Sequence, residues 1–462
     1  MPHFDLCVIG SGSGNSLIDE RFADLSVALV DDGVPFGGTC LNKGCIPTKM
    51  FVYPADLLRT PEDSARVNVS MDAPSVDFAG VRDRIFGRID PIAEGGERWR
   101  ASASNLTLYR QTARFVAPKT LQIGDETITA DRFVIAAGSR AVRPDIEGLD
   151  AVADRVHTSD TIMRLDALPT SLAIIGGGFI AAEFAHVFSA YGVHVTVIHR
   201  GQRMLAREDA EIARRYTRAA ASYVDLRLNT RVTRADAAAD GVRLSLDGPD
   251  GPSEVTAELV LIATGRHPNG DRLGVEAAGI ELDADGYVVV DAQQRTTAEG
   301  VWALGDVCSH WQLKHVANHE ARIVQHNLLH PDAPRSNDDR PVPHAVFTHP
   351  QIASVGLTED AARAAGLDVA VAVQEFGSVA YGWATADDTG CCKLVADRAT
   401  GRLVGAHLIG MQASLLIQPL IQAMTLGTDV VTMARGQYWI HPALTEVVEN
   451  ALLALNLTEE SA

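Results

Sequence analysis

Two widely separated segments of the chain share one pattern, an apolar run that leads into a glycine-rich turn. The first extends from Leu6 to Asn15 and reads LCVIGSGSGN, and the second extends from Leu172 to Gly178 and reads LAIIGGG. A second apolar run follows each turn, at 27–30 and at 195–198. This is the strand–turn–helix–strand order of a dinucleotide site, in which glycines let the backbone approach a diphosphate. The sequence therefore predicts two nucleotide-binding domains, with a helix after each turn.

Charge and hydropathy exclude several classes of protein. The chain has 462 residues, and its 40 Lys and Arg against 59 Asp and Glu give a formal net charge of −19. Because this charge repels nucleic-acid phosphates and anionic membranes, neither is an expected partner. No stretch approaches the roughly 20 apolar residues that cross a bilayer. The first ten residues resemble a strand rather than a secretory signal, so we expect a cytoplasmic protein.

Later apolar runs indicate how the domains are completed. Runs at 133–137 and 259–264 predict buried strands of the two sheets, and a run at 300–305 predicts a strand that completes the first domain late in the chain. Beyond Pro343, short strands and one long helix from Leu415 to Thr425 predict an α+β domain. The expected fold is α/β, with two Rossmann-like domains and a carboxyl-terminal α+β domain. The expected boundaries are 1–148 for the first part of the first nucleotide domain, 149–266 for the second nucleotide domain, 267–340 for the completion of the first, and 343–462 for the last domain.

A pair of cysteines, Cys40 and Cys45, follows the first nucleotide motif within the segment Gly37–Lys49. In a regular helix, residues five apart are separated by about 7.5 Å of rise, beyond the roughly 7 Å limit for bridged Cα atoms, so a disulfide needs a distorted turn. Pro47 removes one helical hydrogen bond and Gly44 tolerates strain. Two independent buried thiols are an alternative, whereas a zinc site lacks two further ligands nearby. The adjoining nucleotide site favours a redox pair, and no metal is expected.

The segment Gly37–Lys49, GGTCLNKGCIPTK, resembles the active-site signature of the pyridine nucleotide-disulfide oxidoreductases, the family of glutathione reductase and dihydrolipoamide dehydrogenase. The resemblance covers essentially the whole chain and implies FAD in the first nucleotide domain, NADPH in the second, and a homodimer formed by the last domain. Its further motifs are GSGSGN at 10–15, GGGFIAAE at 176–183, ATGRHPN at 263–269, ALGDV at 303–307, FTHPQIASVGLTE at 347–359 and HPALTE at 441–446.

The resemblance also implies roles for the reactive residues. Cys45 is expected to lie against the flavin as the charge-transfer thiolate, and Cys40 to attack the disulfide substrate. His441 is expected to act as acid and base from the partner subunit, with Glu446 holding its imidazole. Thiol exchange needs a depressed thiol pKa and a proton donor for the departing sulfur, which agrees with this set. Pro442 is expected in the first turn of a helix that starts directly after His441.

The cofactor-binding residues are implied in the same way. Lys49 and Glu183 match an ion pair near the reactive nitrogen of the flavin, and Asp31, with Asp32 as the alternative, matches the acid on the adenosine ribose. The residues expected at FAD are Gly10, Gly12, Gly14, Asp31, Gly38, Thr39, Lys49, Gly138, Gly305 and Asp306. Those expected at NADPH are Gly176, Gly178, Phe179, Ile180, Glu183, His199, Arg200, Arg203 and Gly265.

The end of the strand at 195–198 indicates which nicotinamide is used. NAD sites usually present an acid there for the ribose hydroxyl, whereas NADP sites replace it with cations. Here the strand is followed by His199 and Arg200, with Arg203 nearby. NADPH is therefore favoured, although the arginines could simply be solvated. This preference is an argument against dihydrolipoamide dehydrogenase.

The substrate is expected to be a small-molecule disulfide. The chain has no terminal cysteine pair of the kind expected in mercuric reductases, and Cys391 and Cys392 lie in an apolar strand where core packing is favoured. Lys43 and the segments 50–56 and 312–320 resemble the mycothione-reducing branch of the family more than glutathione reductase. Glutathione reductase and dihydrolipoamide dehydrogenase remain alternatives. A flavin transhydrogenase or a non-enzymatic redox sensor would not need the two cysteines.

Overall fold

The computed structural model describes residues 1–338 and 340–457. Its strands in chain order are β1 His3–Ile9, β2 Val27–Val30, β3 Leu106–Tyr109, β4 Ala113–Ala117, β5 Thr120–Ile123, β6 Glu126–Ile135, β7 Ser139–Ala141, β8 Val156–His157, β9 Ser171–Ile175, β10 His194–Ile198, β11 Asp225–Arg227, β12 Arg231–Ala238, β13 Gly241–Gly248, β14 Gly251–Ala257, β15 Leu259–Ile262, β16 Arg266–Pro268, β17 Val301–Ala303, β18 Pro343–Val346, β19 Gln351–Gly356, β20 Val369–Glu375, β21 Cys391–Asp397 and β22 Arg402–Gly410. Its α-helices are α1 Gly38–Asn42, α2 Cys45–Leu58, α3 Thr60–Arg66, α4 Phe78–Ala101, α5 Phe179–Ala190, α6 Ala210–Ala220, α7 Lys314–Leu329, α8 Glu359–Ala364, α9 Ala380–Thr385, α10 Ala413–Leu416, α11 Gln418–Leu426, α12 Val430–Arg435 and α13 Glu446–Ala454.

The first sheet has the strand order β3-β2-β1-β6-β5-β4, and β17 pairs with the last three residues of β6, beyond the part that pairs with β5. The strands β1, β2, β3, β6 and β17 are parallel, while β4 and β5 run antiparallel. The four residues of β2 are all buried, which fits a parallel sheet covered on both faces. Strand β17 pairs with β6 in the register Val301 to Phe133, so a segment after the second nucleotide motif completes this sheet.

The second nucleotide motif lies in a parallel sheet of order β11-β10-β9-β15-β8. The glycine turn after β9 leads directly into α5, as the sequence predicts. Helix α5 packs between this sheet and α2, because buried side chains such as Phe184 and Phe188 share one core with Phe51 of α2. The second nucleotide domain is therefore in direct contact with the helix that carries Cys45.

The first glycine turn does not lead into an α-helix, so that prediction is wrong. Two short 3-10 turns, Asn15–Leu17 and Glu20–Phe22, take its place. The buried Arg100 of α4 donates to the carbonyl of Asn15 at 2.6 Å and to that of Ile18 at 2.8 Å. A helix would use these carbonyls for its own hydrogen bonds. The side chain of Asn15 also accepts from Arg100, at 2.6 Å. Arg100 thus holds the segment in a non-helical path.

The carboxyl-terminal domain is an antiparallel sheet of order β18-β19-β22-β21-β20 with helices α10 to α13 packed against it. The single helix expected from Leu415 to Thr425 is in fact divided, since α10 ends at Leu416 and α11 begins at Gln418. Pro419 lies in the first turn of α11 and has no N–H for a continuous helix, which explains the break.

Within residues 1–338 and 340–457, no helix is both long and apolar enough to cross a membrane.

Candidate active site

Cys40 and Cys45 lie on either side of a helix break. Cys40 is in α1 and Cys45 is the first residue of α2, and Lys43 and Gly44 separate the two helices. The backbone of Gly44 is outside the helical region, at φ −140° and ψ −119°. The two thiols lie close enough that each shifts the pKa of the other. The distortion expected from the five-residue spacing is therefore present, and it brings the two sulfurs together.

The two thiols have opposite pKa shifts. The hydrogen bond from Cys40, followed by the ammonium of Lys49, lowers the pKa of Cys45 to about 7, although burial and Glu183 oppose this. The same hydrogen bond and burial raise the pKa of Cys40, against the favourable charges of Lys314 and Lys49. Cys45 is therefore the thiol of the pair that ionises near neutral pH, while Cys40 keeps its proton.

An ion pair ties the cysteine helix to the other two domains. Lys49 Nζ in α2 lies 2.7 Å and 2.8 Å from the two carboxylate oxygens of Glu183 in α5. Glu183 is buried and also accepts from the backbone N–H of Phe347 at 2.9 Å, and Lys49 lies over the Phe347 ring. The first domain, the second domain and the start of the last domain thus meet at one carboxylate.

These residues line a cavity of about 320 Å³. Twelve of the residues expected at the cofactors and both cysteines are among its lining residues, whereas Gly14 is not. A Cβ at Gly14 would lie 2.6 Å from the carbonyl oxygen of Gly10, so this glycine packs inside the turn. The expected residues that line the cavity, besides Cys40 and Cys45, are Gly10, Gly12, Asp31, Gly38, Thr39, Lys49, Gly138, Gly305, Asp306 and, from the nicotinamide set, Phe179, Ile180 and Glu183.

The shape of the cavity and its donor groups fit FAD. Gly38 has φ +75°, and a Cβ there would lie 2.6 Å from Gly12 Cα, so the close approach of these two lining segments requires glycine at position 38. Gly138 lines the cavity with no atom within 4 Å of its Cβ position, which leaves room for a ligand. Backbone without side chains lets a diphosphate reach the N–H groups and leaves room for a flat ring.

Two carboxylates line this cavity beyond the carboxyl ends of two strands of the first sheet, Asp31 after β2 and Asp306 after β17. Asp31 accepts from Ser11 Oγ at 2.8 Å and from Arg110 at 2.7 Å, and burial raises its pKa. Asp306 accepts from Ser139 Oγ at 2.7 Å. The alternative ribose acid, Asp32, does not line the cavity, and its side chain accepts from Thr112 instead. The geometry therefore favours Asp31 over Asp32 as a ligand of the adenosine ribose.

The second glycine turn forms a separate surface next to this cavity. Gly178 caps α5 with no atom within 4 Å of its Cβ position, and Gly265 is equally open. The ring of His199 lies against Gly177, and burial and Arg200 lower the pKa of this histidine.

The remaining residues expected at the nicotinamide cofactor surround that turn. Gly176, with φ +140°, packs against the Ala263 carbonyl, so it shapes the turn rather than facing a ligand. Arg200 is exposed and Arg203 half-buried on the bend after β10. Within the described part of the chain, neither arginine has a carboxylate within 4.0 Å. Two cations without acidic partners suit a phosphate.

His441 and Glu446 are paired, outside the cavity that the cysteines of the same chain line. His441 Nδ1 lies 2.6 Å from Glu446 Oε1, and the imidazole is 73% exposed. Neither residue lines the cavity that holds Cys40. Helix α13 begins only at Glu446, so the expectation that Pro442 starts a helix is wrong: residues 441–445 form turns instead.

Several cavity-lining residues were not anticipated as site residues, among them Ser11, Ser13, Arg266, Gln312 and Lys314. The serines lie between the glycines of the first turn, so their position in the motif could have predicted that they line the site. Lys314 lies in the segment 312–320 that carries the family resemblance, yet nothing local shows that its side chain points back to residue 13. No group of three or more His, Cys, Asp and Glu residues suited to a metal is found among the described residues.

Comparison with known proteins identifies the family. Residues 4–321 match the family model described as pyridine nucleotide-disulphide oxidoreductase, and residues 342–452 match that of its dimerisation domain. Mycothione reductase of Mycobacterium tuberculosis is 51% identical over 98% of this chain and 100% of its own length. Mercuric reductase of Streptomyces lividans is 34% identical over 99% of this chain and 97% of its own length.

A solved structure agrees with this. The HOCl-induced flavoprotein disulfide reductase RclA from Escherichia coli has a TM-score of 0.84 and 29% identity, covering 97% of this chain and 99% of that one. The chain therefore belongs to the pyridine nucleotide-disulfide oxidoreductase family, and it is a flavoprotein disulfide reductase that uses FAD and NADPH.

Proposed function

We propose that this enzyme reduces mycothione, the disulfide of mycothiol, with NADPH. The observation that carries the proposal is the 51% identity to a mycothione reductase over 98% of the chain. Relatives that act on other substrates are more distant, at 31% for a glutathione reductase and 32% for a dihydrolipoyl dehydrogenase. A cytoplasmic location is part of the proposal, because a cycling dithiol needs a reducing compartment.

The chain's own residues would carry the thiol exchange. When bound, FAD supplies the transfer of an electron pair from NADPH to the cysteine pair. Cys40 gives its proton to the imidazole of His441 as it attacks one sulfur of the substrate disulfide, which gives a mixed disulfide and one departing thiolate. The Cys45 thiolate then attacks the sulfur of Cys40, which releases the second thiolate and forms the Cys40–Cys45 disulfide. The pKa of about 7 for Cys45 supports its role in this second attack.

His441 would carry the protons, with Glu446 holding its imidazole. The contact of 2.6 Å between Nδ1 and Glu446 fixes the orientation of the ring and leaves Nε2 free to give a proton to a departing thiolate. Since His441 lies outside the cavity of its own chain, we assign this proton donor to the partner subunit's His441. The exposed side chains of Tyr438 and Ile440 beside it support a covered, shared interface.

Mixed dimers test the shared site. A Cys40→Ser chain and a His441→Ala chain are each expected to be inactive as homodimers. Co-expression followed by isolation of the mixed dimer should restore one complete site, which takes Cys40 from one chain and His441 from the other. A mixed dimer that keeps its FAD but stays as inactive as both parents would show that the proton donor comes from the same chain.

The substrate is tested by direct competition among disulfides. Anaerobic oxidation of NADPH by the pure holoenzyme is measured with mycothione, glutathione disulfide and lipoamide in turn. We expect kcat/KM for mycothione to exceed the other two by at least about tenfold, since polar groups of the correct thiol would be matched in the site. The Cys40→Ser variant is the control for background oxidation. Faster turnover of glutathione disulfide or lipoamide would contradict the proposed substrate.

A further inference from the structure

The two nucleotide turns differ in how much positive charge their backbone offers. The second turn leads into the 12 residues of α5, whose amino terminus concentrates N–H groups and partial positive charge. The first turn leads only into the three-residue 3-10 turn Asn15–Leu17. Because that turn is too short for a comparable dipole, a diphosphate at the first turn needs positive charge from another source.

Helix α7 lies against the first turn. Its first residue, Lys314, places Nζ 2.8 Å from Ser13 Oγ inside the turn. Further along the same helix, the side chain of Gln325 donates to the carbonyl of Leu17 at 2.7 Å. Both contacts join residues about 300 positions apart, and they fix Lys314 where it lines the cavity together with Gly10 and Gly12.

The charge on Lys314 is not neutralised by the protein. Lys49, which also lines this cavity, is held by both oxygens of Glu183. Within the described residues, Lys314 has a hydroxyl partner and no carboxylate within 4.0 Å. Its ammonium therefore keeps two further donors for an anion in the cavity.

We propose that Lys314 binds the diphosphate of FAD and does at the first turn what the amino terminus of α5 does at the second. The inference rests on the family's use of FAD and not on the identity of the disulfide. The favourable effect of Lys314 on the Cys40 thiolate offers a competing role, in which the lysine serves the thiol and not the cofactor.

Release of FAD from the holoenzyme tests the proposal. Lys314→Met should speed FAD release about tenfold at low salt, the loss of one charge-assisted contact, as followed by the fluorescence of free FAD after dilution. The difference from the unchanged enzyme should shrink as KCl is raised, because the lost interaction is between charges. Lys314→Arg should keep most of the retention. Lys119→Met, at an exposed turn, is the matched control and should release FAD at the original rate.

Two outcomes would overturn the proposal. One is an unchanged rate of FAD release in Lys314→Met. The other is faster release that does not depend on salt and is not rescued by arginine, which would indicate altered packing. Alkylation of the reduced enzyme by iodoacetamide across pH separates the competing role: slower alkylation of Cys40 with unchanged FAD release would assign Lys314 to the thiol.

Discussion

The two glycine turns begin from the same sequence pattern and end in different structures. After the second turn, α5 forms as the local sequence predicts. After the first, Arg100 takes the carbonyls of Asn15 and Ile18, and no α-helix forms. One turn is thus stabilised by its own helix and the other by side chains from α4 and α7. The comparison teaches that a glycine motif specifies the approach to a diphosphate, while the source of charge and rigidity can lie elsewhere in the chain.

The largest expected effect comes from removing the support of the first turn. Arg100→Met loses three hydrogen bonds of a buried guanidinium and leaves two carbonyls without partners, so we expect a loss of about 3 kcal/mol in the free energy of unfolding and much faster FAD release. Denaturant unfolding and flavin fluorescence measure both. Arg98→Met is the matched control, since this exposed neighbour makes one contact to Glu94 at 3.5 Å. If the two variants had the same stability and the same rate of FAD release, Arg100 would not be the support of the first turn.

The second expected effect concerns the phosphate at the second turn. Arg200→Glu combined with Arg203→Ala should raise KM for NADPH by about 10- to 100-fold, because a 2′-phosphate would lose two charge-assisted contacts. KM for NADH and the rate of FAD release should change little, since the α5 turn and the first turn are untouched. Steady-state kinetics with both nicotinamides provides the measurement. An equal rise in KM for NADH would show that these arginines do not distinguish NADPH from NADH.

A third prediction concerns the effect of the Lys49–Glu183 ion pair on the pKa of Cys45. The pKa of Cys45 is lowered to about 7, so its thiolate is present above that pH and is lost as the pH falls through it. Replacing Lys49 by Met together with Glu183 by Gln removes the ion pair without leaving a buried charge, and it should raise this pKa by about one unit. The midpoint of the long-wavelength charge-transfer absorbance in the two-electron-reduced enzyme reports the shift. An unchanged midpoint would assign the lowered pKa to the hydrogen bonds from Cys40 and the backbone, and not to Lys49.

The smallest expected effect is a pH dependence at the second turn. Burial lowers the pKa of His199, so the ring is neutral at pH 7 and gains a positive charge only as the pH falls through its lowered pKa. Protonation should then strengthen the preference for NADPH over NADH by about threefold in low-salt buffer. The phosphate itself takes up a proton near pH 6, so His199→Asn is the necessary reference. The two enzymes should agree at pH 8 and diverge only in acid, and identical profiles would exclude the histidine.

The sequence predicted the fold class well because apolar periodicity and glycine turns are local signals. The helix after Gly178 and the strands at 133–135 and 259–262 are of this kind. The divided helix near Ile417 was also within reach, because Pro419 is a local signal. The missing helix after Gly14 was not, since its cause is Arg100, 85 positions away.

Some contacts of the candidate site could likewise be predicted from the sequence, and others could not. The proximity of Cys40 to Cys45 follows from their spacing and from Gly44, and the pairing of Lys49 with Glu183 follows from the family resemblance. The contact between Lys314 and Ser13 joins residues 301 positions apart, and a single sequence gives no sign of it. Roles for His441 and Arg200 stay predictions until the variants described above are measured.

The late position of β17 also determines when the first cofactor can be bound during synthesis. The second nucleotide sheet is made from strands between Val156 and Ile262, so it can fold as soon as that part of the chain has left the ribosome. The first sheet stays incomplete until Ala303 is made, and the FAD cavity until Lys314 follows. Domains usually fold in order from the amino terminus, at about 5–20 residues per second. We expect the reverse order in this protein: the middle of the chain can fold first, and a nascent chain of fewer than about 320 residues has no complete site for FAD.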